Sequence, residues 1–509
     1  MTGQVSTVSD EAVTNGKARG DRAAYLKSLL DLRSDFKSSY VDANTEDAGT
    51  NAWLQDLRDR ATEVVLKSAI PSTRDEEWRF TDLSALLENS FSSGYPASKV
   101  NEAERQRLPL SEAKIRLTFE NGIPAGSEFE IRASLPEGLV VSSLLKRERK
   151  LPPNILEMLT ENEETFTSIN ASLPSSIPPL KAEELATVFN TSESLAGTED
   201  VRRLLQGHLA TLAGTEDVFT ALNTASFTDA AVIFVPKNVD VSIPIQLLFI
   251  ATPRDRASIA HPRCIVVAES GSKLTLIEEY VTLYDGAYFT NPVTEIWVGE
   301  NAEVNHTRIQ RDSQEAFHIG KTAVSQARDS RYTCNAISYG AKLSRHNLEV
   351  YQTGEQTETT LNGLTLIGDE QVADTHSLIS FTKPHGTSHQ IHKCIVDDRA
   401  HAVFNGKILV PKPAQLTDAG QLSSTLLLSE KARVDTKPQL EITADNVKCA
   451  HGATVSQLDS DEVFYLQSRG IDAESARRLL TYAFAYDVLK EIPVPSLRDT
   501  LAQSVRNHF

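Results

Sequence analysis

The sequence predicts a mainly β chain with helical segments at both ends. Three observations carry this. From Phe219 to about Ile442 no stretch has the spacing of an amphipathic helix. Over the same span short runs alternate apolar with polar residues and are bounded by Gly, Asp or Asn. Helical spacing occurs before Pro71 and again after Asp459. A doubly wound α/β sheet is excluded, because it needs a helix between successive strands.

The first 20 residues are small and polar and read as a disordered tail. Residues 21–215 read as a mainly helical domain. Leu26, Leu29, Leu30 and Leu32 share a face, and Trp53, Leu54, Leu57, Ala61, Val64 and Val65 repeat at helical spacing up to Pro71. Residues 150–190 are acidic, with Ser/Pro punctuation at Ser172-Leu-Pro-Ser-Ser-Ile-Pro-Pro179, and suggest helices broken by loops. A short helix is expected at Val201–Leu212. Residues 216–445 form the β core, with alternation at Leu274/Leu276, Leu348/Val350, Leu364/Leu366 and Ile391/Ile395. A sandwich, a barrel and a β-solenoid all remain open, with the short, Thr/Ser/Asn-punctuated strands leaning toward the solenoid. No strict repeat period is visible. Residues 446–509 read as a C-terminal helical domain. Asp459-Ser-Asp-Glu462 resembles a capping box and Gly470 closes the first helix. Asp472 caps a second, whose stripe runs through Ala476, Leu479, Leu480, Ala483, Phe484 and Val488 to Pro493.

Composition narrows the function. Lys and Arg number 51 against 69 Asp and Glu, a net charge of −18. Non-specific nucleic-acid binding and an anionic membrane surface both need a basic face and are disfavoured. A mean hydropathy of −0.27 and the lack of a long apolar run argue against a transmembrane helix. The N-terminus lacks a signal-peptide core, which points to the cytoplasm, or to the plastid stroma for a plastid-bearing source. Four cysteines, at 264, 334, 394 and 449, with no CxxC pair, exclude a disulfide scaffold and zinc ribbons. P-loop, GxGxxG, GxSxG and HExxH signatures are missing.

Two clusters could carry chemistry. His385, His389, His392 and Cys394 form H-x3-H-x2-H-x-C, an assortment suited to zinc, iron or copper, or else a set of exposed turn histidines. Cys449 and His451 are the sharper pair. On a strand they share a face, and a neighbouring imidazolium would lower the thiol pKa. Such a pair suits iron–sulfur ligation or nucleophilic catalysis, or is simply a buried thiol beside a structural histidine. Cys264 and Cys334 read as apolar core residues.

The run TKPQLEITADNVKCAHGATVSQLDSDEVFYLQSRGI, Thr436–Ile471, resembles the C-terminal signature of the SufB/SufD family, its SufD branch in particular. Pro71–Leu83, Phe219-Thr-Ala-Leu-Asn-Thr-Ala225, Val235-Pro-Lys237, Phe404-Asn-Gly-Lys-Ile408 and Asp418-Ala-Gly-Gln421 resemble further family segments, so the likeness covers about residues 60–495. The resemblance implies a right-handed parallel β-helix between helical N- and C-terminal domains. It implies a non-catalytic subunit of an iron–sulfur cluster assembly complex, paired with SufB through the β-helices, or a homodimer when SufB is absent. The ATPase SufC would dock on the C-terminal helices. The cluster would be transient and shared with SufB; members of the system are also linked to reduced flavin, although no stretch here reads as a flavin motif. Cys449 and His451 match the branch's functional cysteine and histidine, as candidate iron or cluster ligands at the SufB interface. Two departures separate the chain from the SufB branch: Gly452 stands where H-E-A-T-T has glutamate, and Gln421–Leu428 holds no cysteine. The alternatives are a SufB-like scaffold that holds the cluster itself, and a β-solenoid carbohydrate-active enzyme.

Overall fold

The computed structural model describes residues 21–33, 48–93, 108, 110–131, 136–144, 208–212, 217–253 and 256–508. Its centre is a parallel β-solenoid of about eight turns, each giving one strand to each of two sheets. In the first sheet Val293–Val298, Phe317–Gln326, Leu343–Gln352, Val372–Phe381, His401–Val410 and Arg433–Ile442 stack in order. In the second sheet Glu303–Asp312, Arg331–Gly340, Glu358–Ile367, Thr387–Val396, Asp418–Leu427 and Lys448–Gln457 do the same. Parallel pairing in constant register stacks like positions in columns. Ile296, Val324, Val350, Ile379 and Ile408 form one such inward column, every member fully buried. Each side chain of this kind contributes about 1.5–3 kcal/mol on burial.

One turn per coil needs a left-handed residue. Asn238, Gly271, Asn301, Asp329, Gln356, His385 and Leu416 all have φ between 56° and 71° and lie 27 to 33 residues apart. Each donates its backbone N–H to a carbonyl in the matching turn of the next coil, at 2.7–3.2 Å. This is the repeat that the sequence reading does not find. Its spacing varies by several residues, and its residue type changes at almost every step.

The two ends of the stack differ. At the first, antiparallel strands close both sheets: Ile123–Ile131 on Ile115–Glu120, and Val140–Ser143 on Ala231–Val235. Residues 21–215, expected to be mainly helical, also supply this cover from short strands. At the second end the sheets stop at Arg433–Ile442 and Lys448–Gln457, which pair on one side only. The β core therefore runs to Gln457, past the expected boundary at 445. Lys448–Gln457 has almost no buried residue, so it lacks the apolar alternation that marks the earlier strands.

Helices flank the stack. Residues 21–31 and Ala48–Lys67 place Leu26, Leu29, Leu30, Ala61 and Val65 against Phe219 and Leu222 of the Val218–Ser226 helix, in a cluster that includes Phe289 and Phe317. The expected elements at 150–190 lie outside the described residues, as does nearly all of Val201–Leu212. A short 3-10 turn, Glu76–Trp78, rivets the N-terminal segment to the first sheet. Trp78 lies 3.9 Å from the Arg345 guanidinium, and Arg345 donates to Glu77 O at 2.7 Å and Asp374 Oδ2 at 2.6 Å. Thr81 adds a 2.6 Å bond to Asp374, and Lys437 of the last coil pairs with Glu76 at 2.5 Å.

At the C-terminus Asp459 and Asp472 cap Ser460–Ser468 and Ala473–Leu489, as the sequence predicts. The buried stripe of the second helix is rotated from the expected one. Ala476, Thr481, Ala485, Val488 and Leu489 face inward, leaving Leu479, Ala483 and Tyr486 exposed. A third helix, Pro495–His508, follows where the sequence reading stops; Leu497, Leu501 and Val505 repeat at four-residue spacing to seat it. The second and third of these helices cover Ile309, Ile337, Leu364 and Ile395 on the outside of the second sheet.

Candidate functional site

The site is the uncovered last coil. In the Asp418–Leu427 strand, Ala419, Gln421, Ser423 and Thr425 point inward and are buried. Their register partners one coil further on are Cys449, His451, Ala453 and Val455. Those four side chains accordingly face the bore of the solenoid, but no coil lies above them. His451, Ala453 and Val455 are exposed and Cys449 is half-buried. His451 ends a column that runs from His306 through Cys334, Leu361, Gln390 and Gln421, all buried. Cys449 and His451 are two residues apart on one face, about 7 Å along the strand.

Backbone chemistry at this end is unequal. Lys448 donates its N–H back to Thr417, so by the alternation of parallel pairing Cys449, His451, Ala453 and Val455 turn their N–H and C=O groups to the free edge. In the first sheet Arg433 and Thr443 donate back to Ala400 and Val410, which places Pro438, without an N–H, on the free edge.

Electrostatics corrects one expectation. The Cys449 thiol is pushed up rather than down: burial against the solenoid core is the main cause, and the Asp418 carboxylate adds to it. At neutral pH it is a thiol rather than a standing thiolate.

The second expected cluster is split. His385 is the left-handed residue of a turn and His389 points outward into solvent, whereas His392 and Cys394 point inward and are buried. Among the described residues no three His, Cys, Asp or Glu groups are placed to hold a metal ion. His392 lies flat on Phe404, centroids 4.6 Å apart, with a 3.2 Å contact to Thr365. Burial lowers its pKa to about 4, so it is a neutral core residue. Cys264, Cys334 and Cys394 are fully buried, as expected of the first two.

Other polar groups in the bore were not foreseen. His306 bonds the Glu278 carboxylate at 3.1 Å and the Tyr332 hydroxyl at 3.0 Å. Burial alone would lower its pKa, yet hydrogen bonds to Cys334 and Glu278 raise it to about 9. Near the open end Gln421 Nε2 donates to Gln390 Oε1 at 2.8 Å, and Gln390 Nε2 donates to Ser377 at 2.8 Å. The signal that could have found them is the left-handed ladder, because it fixes the register that stacks positions 390, 421 and 451.

Fold and site together define a solenoid subunit that presents a thiol and an imidazole at an unfinished end. Residues 249–484 match the family model described as SUF system FeS cluster assembly, SufBD core domain, and residues 185–247 match the SufBD protein N-terminal region. An iron-sulfur cluster assembly SufBD family protein of Synechocystis is 40% identical over 92% of this chain and 93% of its own length. The chloroplastic protein ABCI7 of Arabidopsis thaliana is 33% identical over 92% and 88%, and the iron-sulfur cluster assembly protein SufD of Escherichia coli is 28% identical over 84% and 86%. The chain belongs to the SufBD family of iron–sulfur cluster assembly proteins, and within it is SufD-like.

Proposed function

We propose that this chain is the SufD-type subunit of a complex in which SufB covers the open end of the solenoid and SufC docks on the C-terminal helices. The observation that carries the reading is the last coil, where inward-facing Cys449, His451, Ala453 and Val455 meet solvent in positions whose partners one coil before, Ala419, Gln421, Ser423 and Thr425, are all buried. A dissimilar second body laid over that end would bury Val455, now 50% exposed, and give the strand's free backbone groups partners. It would also enclose the imidazole and thiol in a drier space, where they would hold iron of the nascent cluster. The cluster is cargo, passed on once built. Phe464 at 70% exposure and Tyr465 at 56%, with Leu479 and Tyr486 on the next helix, form the apolar surface offered to SufC. Hydrolysis of ATP then belongs to that partner and the chain itself is not an enzyme. Cytoplasm or plastid stroma is where such a complex would work.

Co-expression with SufB and SufC tests this. A stable complex is expected, and His451→Ala is expected to leave the complex intact while its cluster yield falls at least tenfold. Failure to co-purify with either partner overturns the assignment; wild-type yield in His451→Ala removes the imidazole from the mechanism.

A further inference from the structure

We infer that Gln421 is a positioning residue for His451: its side-chain oxygen accepts the imidazole N–H and fixes which ring nitrogen faces the open end. This rests on the reading of His451 as an iron ligand. Gln421 is 4% exposed, and its Cα is the register partner of the His451 Cα in the adjacent coil, about 4.8 Å away. Its Nε2 donates to Gln390 Oε1 at 2.8 Å, while Gln390 Nε2 donates to Ser377 Oγ at 2.8 Å and the Ser377 hydroxyl donates to Gln390 Oε1 at 3.2 Å. The oxygen is left over: Gln421 Oε1 is buried and has no hydrogen-bond partner. Buried acceptors are rarely left so, because the lost solvation is not recovered.

Two features direct that oxygen to position 451. In the two coils beneath position 451, His392 and Gln421 each rest on the register partner one coil below. The His392 ring lies over Gly363, where an added Cβ would come 2.1 Å from Nδ1, and the Gln421 amide reaches Gln390. An imidazole at 451 laid back in the same way meets the Gln421 amide. Room for that amide is provided from the first sheet by Gly406, where an added Cβ would come 2.2 Å from Nε2 and 2.9 Å from Oε1. Metal-ligating histidines commonly give their second N–H to a neighbouring oxygen, which sets tautomer and ring angle.

The test uses the full chain labelled with nitrogen-15 on histidine, with the His451 ring signals assigned by their loss in His451→Gln. At pH 8 the wild type is expected to show a single tautomer, and Gln421→Glu, which keeps an acceptor, to retain it. Gln421→Met, of similar size but without the oxygen, is expected to give a mixture of tautomers. Gly406→Ala displaces the amide without altering Gln421 and is expected to give the same mixture. In the SufB–SufC complex Gln421→Met should lower cluster yield about tenfold and Gln421→Glu much less. A mixture in the wild type, or a single unchanged tautomer in folded Gln421→Met and Gly406→Ala, overturns the inference. Wild-type cluster yield in His451→Gln would instead overturn the ligand reading and leave the tautomer result standing.

Discussion

Replacing Gly363 by Ala probes whether the bore is packed as tightly as its register implies. The new Cβ would fall 2.1 Å from His392 Nδ1 and 2.8 Å from Cε1, so the ring must leave its place. It would lose the Thr365 contact, about 1 kcal/mol, and the stack on Phe404, about 1 kcal/mol. A displaced imidazole with unpaired nitrogens in a dry interior adds about 1–3 kcal/mol, and the Gly→Ala backbone term returns about 0.5–1 kcal/mol. The net expectation is about 3 kcal/mol lost. His392→Ala alone should cost about 2–3 kcal/mol through the cavity it leaves. In the double variant the methyl has space, so the loss should stay near that of His392→Ala rather than reach the sum, a coupling of about 3 kcal/mol. Urea unfolding of all four proteins, followed by far-UV circular dichroism, measures it. Additive losses would refute the close contact and with it the layered packing on which the placement of Gln421 and His451 depends.

Acid should weaken the fold. Burial lowers His392 to about 4 from an ordinary 6.5, so below pH 6.5 the unfolded chain takes up a proton that the native one refuses. The resulting loss begins near pH 6.5 and is complete near pH 4, at about 3 kcal/mol; His392→Gln should flatten the urea-midpoint profile over that window by this amount. At the N-terminal rivet, burial disfavours a charged Asp374, yet Arg345 and His376 hold its carboxyl down at about 2. Asp374→Ala leaves Arg345 buried and unpaired, a loss of about 3–5 kcal/mol, and limited proteolysis within residues 72–83 should become rapid. If SufC docks where proposed, Phe464→Ser with Tyr465→Ser should abolish its co-purification while leaving the pairing with SufB intact.

The helix–β–helix order was legible because periodicity survives wherever a face is continuously apolar. Leu26, Leu29, Leu30, Ala61 and Val65 are buried as their spacing required. Legibility failed where the bore turns polar. A strand whose inward residues are Ser388, Gln390, His392 and Cys394 gives no apolar stripe on its core face, and the alternation it does show, Ile391 and Ile395, lies on the outer face. The same reason hid the separation of His389 from His392, since odd spacing along a strand puts them on opposite faces. That Cys449 and His451 share a strand face was legible from their spacing. Their exposure was not, because it follows from the absence of a coil beyond Gln457.

A stack with one lid also limits assembly. The Ile115–Ile131 hairpin and Val140–Ser143 end the first mouth with antiparallel strands, so the parallel ladder is broken there and runs unbroken only to the other end. Even there Pro438 withholds a donor from the rim, so a seamless continuation of both sheets into a second stack is blocked.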